Sequence, residues 1–395
     1  AVIGQVALCV VLLVAAGLLL RSVQHLRSLS PGFDPEGVVT AQVALRDARY
    51  EDADAVRGFF RRTLEAARSV PGVESAAVGL SLPFERGLNM PFQTPDSAEG
   101  EYQLTTLVYV TPQYFESLGI PLLRGRVIDE RDRAETAPVM VVNRAFSERY
   151  LDEDAGIGAQ IRVSDLEPAE VVGVVGDVQQ RPGWGDGSVG PLAPMPTAYV
   201  PVDQLGGDFF GLVHTWFSPT WVVRSEQGAA AVTPSLQAAV AGVDPLLPLI
   251  RFRTMDEVRS ESIGMQRVQA TLLAVFSALA LLLAAAGVYG VLANVVASRR
   301  RELGIRMALG ATRTEAMSTV TRDGLRLIVV GLLIGIPAAL LAATALRGAI
   351  FGVEPIDPPT LLAVSVLLLA SGLAASVLPA LKVARLDPAE TLRDD

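Results

Sequence analysis

The chain has 395 residues, of which 50% are hydrophobic and 19% are charged, and its mean hydropathy is +0.39. This composition is more apolar than an ordinary soluble core requires, which indicates a membrane protein. The formal net charge of -9 gives no reason to expect a nucleic-acid partner, and the single cysteine, Cys9, excludes a disulfide framework within one chain.

Four apolar runs are long enough to span a bilayer. About 20 residues, at about 1.5 Å rise each, cross a hydrocarbon layer of roughly 30 Å. None of the four runs contains a charged residue, and they cover residues 1–20, 268–298, 327–346 and 360–381. We therefore predict four transmembrane helices.

The charged residues are segregated along the chain. Residues 30–262 contain 19 arginines and no lysine against 33 acidic residues, and the remainder of the chain is basic. The loop at 299–326 carries seven arginines, whereas the loop at 347–359 carries one. Because basic loops stay on the cytoplasmic side, we expect the first loop and both termini inside and the acidic domain outside. Arg21 and Arg27 follow the first span on the outer side against this rule, and we assign them to a helical stalk above the bilayer.

The beginning of the chain does not resemble a complete signal peptide. It starts at Ala1, without Met or a basic segment before the apolar run. We expect the chain to be part of a longer polypeptide rather than one that has only lost its Met.

The acidic region contains two similar strand–helix–strand patterns, at residues 38–80 and 220–254. In the first, one helical face is apolar and consists of Val56, Phe59, Phe60, Leu64 and Ala67. Two such units separated by more than a hundred residues suggest one α+β domain with an insertion. We predict an α+β part at 30–89 and 211–262, and an inserted, mainly β part at 90–210.

The insertion has its own strand-like runs, LTTLVYV, APVMVVN and AEVVGVVGDV. Residues 181–196 are rich in Gly and Pro and predict a loop, with a partner-binding loop as the alternative. The run GVVGDV at 173–178 lacks the third glycine and the helix start of a dinucleotide fingerprint, so we interpret it as the end of a strand.

The sequence contains no motif that indicates an enzyme. The only lysine, Lys382, is not part of a GK[ST] motif, so this chain is not expected to bind ATP. His25 and His214, with one cysteine, offer no zinc-finger spacing, and no GxSxG motif supports a catalytic triad at His214. We predict no enzymatic activity, no metal and no cofactor bound by the chain.

A cluster of carboxylates occurs at Asp129, Glu130 and Asp132. It lacks the alternating ligands of an EF-hand loop, although calcium binding stays an alternative. We favour a solvated acidic face.

The basic stretch RRRELGIRMALGATRTEA begins at Arg299. Its first part mixes apolar residues with Arg306 and predicts a short helix at the membrane surface, ending at Gly310 and Ala311. Thr312 and Glu315 form a capping box that begins a helix leading into the third span. The alternative is that the arginines only fix the topology.

Two features of the third span concern helix packing. GLLIG at 331–335 fits the small-xxx-small pattern, which predicts close helix packing, with a dimer seam as the alternative. Pro337 frees the carbonyl of Leu333, so we expect a kink there.

Several long stretches resemble one family in the right order. VYGVLANVVASRRRELGIRMALGATRTEAM is similar to the signature of MacB/FtsX-type ABC-transporter permeases, also called type VII permeases. YVTPQYFESLGIPLLRGRVIDERD, APVMVVNRAFSERYL and VVGVVGDV resemble the periplasmic core domain of that family. IFGVEPIDPPT and ASVLPALKVARLDPAETLR resemble its closing span and tail, so the resemblance covers nearly the whole chain.

This resemblance implies an inner-membrane permease with a first helix and stalk at 1–29, a periplasmic core at 30–262 and an FtsX-like permease domain at 263–395. It implies a permease dimer on a separate cytoplasmic ATPase that binds the ATP, and mechanotransmission from that ATPase to the periplasmic domain. The implied coupling residues are Arg301, Glu302, Gly304, Arg306, Met307, Gly310 and Ala311. Charged side chains suit docking to a partner groove, and glycines permit tight turns there.

The resemblance leaves the function open between three classes. The first is export of a hydrophobic compound, peptide or lipoprotein, with a periplasmic adaptor and an outer-membrane channel as possible further partners. The second is an FtsX-like signalling protein that activates a periplasmic cell-wall enzyme, and the third is a passive membrane-anchored binding domain. MacB carries a fused ATPase that this chain does not show, and residues 1–35 resemble the start of the second half of acidobacterial-type duplicated permeases. The second permease copy is therefore either a separate chain or a covalently linked half.

Overall fold

The computed structural model describes residues 2–95, 97–98, 100–151, 156–183, 190–299 and 313–384. Its helices, in chain order, are α1 (Val2–Ser28), α2 (Ala53–Arg68), α3 (Tyr114–Leu118), α4 (Arg144–Tyr150), α5 (Gly207–Trp216), α6 (Ala229–Val243), α7 (Met255–Ser262), α8 (Gly264–Ser298), α9 (Arg313–Ala345) and α10 (Pro358–Ala384). Its strands are β1 (Val38–Gln42), β2 (Val73–Gly79), β3 (Leu88–Gln93), β4 (Gln103–Val110), β5 (Leu122–Gly125), β6 (Val139–Asn143), β7 (Gln160–Val163), β8 (Ala169–Val175), β9 (Gln179–Gln180), β10 (Ala193–Pro194), β11 (Thr197–Pro201), β12 (Thr220–Ser225) and β13 (Ile250–Thr254).

The chain divides into two compact units. One, here called the helical unit, contains α1, α8, α9 and α10, and the other, the strand-rich unit, runs from Leu29 to Ile263. Each of the four helices in the helical unit contains a segment long and apolar enough to cross a membrane. The prediction of four apolar helices is therefore confirmed, and the first of them continues past residue 20 to Ser28.

The helical unit is held together by close approach of α1 to α9. A Cβ placed on Gly335 would lie 2.7 Å from Val10 Cβ and 3.1 Å from Ala7 Cα, and one on Gly331 would lie 2.6 Å from Val6 Cβ. The GLLIG segment thus faces α1 of the same chain. This contact accounts for the small-xxx-small pattern by packing within one chain.

The same kind of contact joins α1 to the other two helices. A Cβ on Gly17 would lie 2.6 Å from Thr360 Cγ2 on α10, and one on Gly287 of α8 would lie 2.6 Å from Gln5 Oε1. Ser277 Oγ of α8 also donates a hydrogen bond to a backbone carbonyl of α1, that of Leu12, at 2.8 Å. The first helix therefore contacts all three of the others through small residues or a backbone acceptor.

The sheet of the strand-rich unit contains a closed ring. Its strand order is β11-β6-β8-β7-β3-β4-β2-β12-β1-β13, and β11 pairs in parallel with β4 as well. Six strands, β4, β3, β7, β8, β6 and β11, are thereby joined into a ring, which leaves them no unpaired sheet edge between them. The other four strands of this order form an antiparallel ladder that meets the ring where Gly79 of β2 pairs with Val110 of β4.

Helix α2 covers the antiparallel ladder with the apolar face expected from its sequence. Asp52 caps the helix by accepting hydrogen bonds from the backbone amides of Asp54 and Ala55. The rings of Phe59 and Phe60 pack edge-on against Trp221 of β12, with centroids 5.8 and 5.5 Å away. The Trp221 indole donates to Thr63 Oγ1 at 3.2 Å, so its polar atom is satisfied inside the core.

Helix α5 is not predicted by the sequence pattern, and it carries the second histidine into the core. Tyr109 Oη lies 2.7 Å from His214 Nε2, and the ring of Phe210 stacks on the imidazole with centroids 5.5 Å apart. Burial disfavours the imidazolium and lowers the pKa of His214 to about 4. His214 is therefore a neutral core residue at physiological pH.

Helix packing at Gly335 can be tested with a matched glycine. Gly335→Val would push a side chain into Val10 and the α1 backbone, so we expect it to destabilise the helical unit by about 1–3 kcal/mol. Gly290→Val on α8 is the control, because nothing lies within 4 Å of a Cβ at Gly290. Thermal unfolding of the purified full chain in detergent measures both. Equal unfolding temperatures for the two variants would contradict the packing described here.

The buried histidine predicts an acid-sensitive stability. The unfolded chain protonates His214 near pH 6.5, whereas the folded chain resists protonation down to about pH 4, so stability falls as the pH falls between these values. At pH 5 we expect a loss of roughly 2 kcal/mol relative to pH 7.5 from this group. His214→Gln keeps a hydrogen-bonding partner for Tyr109 and should remove that part of the loss. Urea unfolding of the full chain at both pH values, followed by tryptophan fluorescence, tests the difference.

Candidate coupling site

The predicted coupling residues lie outside the residues that the structure describes. They fall within residues 300–312, as does Thr312 of the predicted capping box. The structure does describe the helices on either side, with α8 ending at Ser298 and α9 beginning at Arg313. The geometry described below is therefore that of the helices on either side of this segment.

The flanking helices meet a third helix at Gly324. A Cβ at Gly324 of α9 would lie 2.4 Å from Ser376 Oγ on α10 and 2.9 Å from Leu292 Cδ1 on α8. Ser376 Oγ donates to the carbonyl of Gly372 at 2.7 Å, so the small polar side chain is satisfied within its own helix. Gly324 therefore allows side chains of α8 and α10 to pack directly against the backbone of α9, with no room for a further side chain.

At the opposite end of α9, the following loop is fastened to α1. The amide of Phe351 donates to Ser22 Oγ at 2.8 Å. Gly352 has a φ of +66°, and a Cβ there would fall within 1.9 Å of the His25 ring. This contact explains the glycine of IFGVEPID, since only glycine combines that backbone conformation with that approach.

An ion pair fastens the same loop a second time. Arg21 of α1 donates to both carboxylate oxygens of Asp357. Asp357 also caps α10, accepting from the backbone amide of Thr360 at 3.0 Å. Arg21, which departs from the expected distribution of basic residues, therefore has an acidic partner in the loop at 347–359.

A hydrogen bond joins the first residue of the strand-rich unit to its last helix. Arg259 of α7 donates to the backbone carbonyl of Leu29 and lies over the ring of Phe84, with its guanidinium carbon 5.3 Å from the centroid. Leu29 directly follows α1, and α7 leads into α8 through Ile263. We call this contact the junction clamp. No sequence pattern indicates it, because it joins a side chain to a backbone atom 230 positions away.

The segment after the junction clamp is anchored to the rest of the strand-rich unit. The carbonyl of Pro31 accepts from the amide of Gln179 at 3.1 Å, and the amide of Asp34 donates to the carbonyl of Leu118 at 2.9 Å. Arg224 pairs with the Asp34 carboxylate at 3.0 Å. Residues 31–34 are therefore fastened to β9, to the end of α3 and, through Arg224, to β12 of the antiparallel ladder.

The structure also describes the acidic cluster and much of the Gly- and Pro-rich loop that the sequence analysis considered as binding sites. Asp132 is buried and forms a bidentate ion pair with Arg126, with both distances at 2.7 Å. The expected solvated acidic face is therefore wrong for Asp132, whereas Glu130 is exposed and Asp129 is partly exposed. Among the described residues, no group of three His, Cys, Asp or Glu side chains is arranged to hold a metal ion. Within the described part of the 181–196 segment, β10 pairs antiparallel with β9, which lies just before the segment.

Comparison with known families covers both units. Residues 2–241 match the MacB-like periplasmic core domain, and residues 274–388 match the FtsX-like permease C-terminal domain. The first match alone extends over more than half of the chain.

The chain is also similar to named relatives. It is 25% identical to the macrolide export ATP-binding/permease protein MacB 2 of Aeromonas hydrophila subsp. hydrophila, over 87% of this chain and 50% of that protein. It is 24% identical to the uncharacterized ABC transporter permease YvrN of Bacillus subtilis, over 79% of this chain and 76% of that protein. The chain thus spans about half the length of the Aeromonas relative.

Among solved structures, one similar chain is the periplasmic region of MacB from Actinobacillus actinomycetemcomitans. Its sequence identity is 13%, the match covers 60% of this chain and 97% of that one, and the TM-score is 0.40. The family matches decide the assignment: the chain belongs to the ABC-transporter permeases that combine a MacB-like periplasmic core domain with an FtsX-like permease domain.

Proposed function

We propose that this chain is the permease subunit of an ABC transporter in which a separate cytoplasmic ATPase drives a conformational change of the periplasmic domain. The observation that carries the proposal is the junction clamp. Arg259 binds the carbonyl of Leu29, so the two chain connections between the helical unit and the strand-rich unit are joined to each other. A movement of α1 or α8 then acts on one junction rather than on two independent linkers.

In the proposed topology, the four apolar helices lie in the inner membrane. The loop at 299–326 and both termini are cytoplasmic, and the strand-rich unit is periplasmic. The arginines of that loop favour this orientation. Arg21 lies on the proposed outer side against this rule, and Asp357 of the loop after α9 provides it with a local partner there.

Within the strand-rich unit, we propose that residues 90–210 form an inserted β subdomain between α+β segments at 30–89 and 211–262. All six ring strands fall between Leu88 and Pro201. The four ladder strands and helices α2 and α6 come from the flanking segments. This division supports a periplasmic domain in which the ring moves as one body.

The proposed ATPase contact is the basic segment at 300–312, with the seven coupling residues named above. The helices on either side of this segment support the role, because α9 contacts both α8 and α10 at Gly324. The ATPase supplies ATP binding and hydrolysis, while this chain supplies no catalytic group. The functional assembly further contains a second permease copy or linked half.

The class of cargo is proposed from the name of a relative, and not from a substrate pathway through the apolar helices. The Aeromonas relative is named for macrolide export. Extrusion of a hydrophobic compound, peptide or lipoprotein from the periplasmic side, with an adaptor and an outer-membrane channel, is consistent with that name. The apolar runs at 1–20, 268–298, 327–346 and 360–381 carry no charged residue that would mark an ion or solute pathway.

The topology is tested by the accessibility of one cysteine. Thr314→Cys is introduced into a chain whose Cys9 has been replaced by Ala, and intact cells are treated with a membrane-impermeant maleimide. We expect no labelling until the cells are opened, because residue 314 lies on the cytoplasmic side. Gly100→Cys in the strand-rich unit is the matched control and should label without opening the cells. Labelling of the Thr314→Cys variant from outside intact cells would overturn the orientation.

The coupling assignment is tested on the purified complex with its ATPase. Arg306→Ala and Glu302→Ala should each lower the ATPase activity or the yield of complex by about tenfold, since a lost docking ion pair costs on the order of 1–2 kcal/mol. Arg347→Ala, in the loop at the other end of α9, is the control and should leave both unchanged. Unaltered assembly and activity in all three variants would refute the assignment.

The signalling alternative has its own test. Copurification of a cell-wall enzyme with this chain, together with unchanged export after deletion of its gene, would favour a signalling role instead.

A further inference from the structure

A cleft in the strand-rich unit has features that neither packing nor the proposed coupling explains. Its volume is about 380 Å³, and it is lined by the loop after β2, the end of α5, strand β13 and helix α7. The charged side chains of its lining are Glu85, Arg86, Arg181, Arg251, Arg253 and Glu261. We call it the arginine cleft.

The arginine cleft is built around a buried guanidinium. The side chain of Arg253 is 5% exposed and pairs with Glu85 at 2.7 Å and with Glu261 at 2.8 Å. Its Nε is buried and has no hydrogen-bond partner among the described residues. A buried donor left unused is costly, so the two glutamates satisfy this guanidinium only in part.

The charge of the cleft is opposite to that of the unit that contains it. Four arginines and two glutamates line it, whereas residues 30–262 as a whole are strongly acidic. Arg251, whose side chain is 53% exposed, shares the Glu261 carboxylate with Arg253. Arg253 also pairs with Glu85, so these two guanidinium groups face two carboxylates. The lining as a whole holds four arginines against two glutamates, and this excess of positive charge favours an added anion.

The backbone at this cleft is strained. Phe84 has a φ of +68° and Arg251 a φ of +55°, and both line the cleft. Only two other non-glycine residues of the described chain, Gln113 and Ser164, have positive φ. Bulky residues adopt this conformation at a cost and persist where the surroundings enforce it, and such residues cluster at functional sites.

One wall of the arginine cleft is aromatic and accessible. Trp216 is 78% exposed and lies at the end of α5, followed by Phe217, and both line the cleft. An exposed tryptophan beside arginines offers an apolar surface next to an anion site. The ligand that fits both is an amphiphile with a phosphate or carboxylate head.

We propose that the arginine cleft binds such an anionic amphiphile, with its head group on Arg251 and Arg253 and its apolar part against Trp216 and Phe217. The binding follows from the cleft alone. The further step, that this amphiphile is the class of cargo, rests on the proposed transport function.

Calorimetric titration of the full chain in phosphatidylcholine nanodiscs tests the binding. The probe is octyl phosphate, compared with octanol and with inorganic phosphate. Because the phosphate head and the octyl tail each contribute to the binding free energy, we expect octyl phosphate to bind at least about tenfold more tightly than octanol or inorganic phosphate. Equal binding of octanol, or equal binding of inorganic phosphate, would overturn the proposal.

Matched variants locate the site. Trp216→Ala and Arg251→Gln should each weaken octyl phosphate binding by about fivefold to tenfold, and Arg251→Lys should retain most of it. Leu246→Ala and Arg162→Gln remove an exposed apolar and an exposed basic residue outside the cleft and should change nothing. Unchanged affinity in the first two variants would refute the site, with circular dichroism confirming that each variant is folded.

The source of the amphiphile is distinguished by the bilayer. If phosphatidylglycerol nanodiscs compete with octyl phosphate, the occupant is a head group of the surrounding membrane and the cargo role is overturned. If they do not compete, a free amphiphile is supported. The titration uses neither ATP nor an ATPase, so its failure would leave the coupling proposal standing.

Discussion

The organisation of the helical unit depends on how closely α1 can approach its neighbours. Lipid tails are as apolar as leucine, so helices in a bilayer gain little from burying apolar side chains and associate through backbone proximity and packing instead. Gly331 and Gly335 on α9 and Gly287 on α8 provide that proximity against α1, and Gly17 on α1 provides it against α10. The first helix is thus a central element around which the other three are arranged.

This arrangement explains why polar contacts occur where they do. Arg21 and Ser22 extend from the end of α1 to the loop after α9, where they fasten Asp357 and the amide of Phe351. Beyond them, the junction clamp of Arg259 joins the chain that leaves α1 to the chain that leads into α8. The glycines thus bring the helices together, and the polar contacts fix the chain segments that follow α1 and α9.

Some of this could be predicted from the sequence, and the reasons for success and failure are physical. The four apolar helices follow from length and hydropathy, and the buried face of α2 follows from helical periodicity at Phe59, Phe60 and Leu64. Helix α5 was missed because Gly206 offers no capping side chain. The clamp at Arg259, and the pairing of Asp132 with Arg126, depend on tertiary proximity that no local pattern encodes. The coupling residues lie beyond the described part of the chain, so their positions stay a prediction.

The ring of six strands has a mechanical consequence. An open sheet can bend or slide along its free margin, but a cycle of hydrogen-bonded ladders resists shear because every ladder must yield at once. The parallel register of Thr197 to Pro201 against Thr106 to Val110 completes that cycle. The cycle meets the antiparallel ladder where Val110 pairs with Gly79, and backbone hydrogen bonds from Leu80 to Tyr109 and from Thr111 to Val78 flank that pair. Torque applied along this short seam would turn the cycle as a stiff body and would leave its internal shape unchanged.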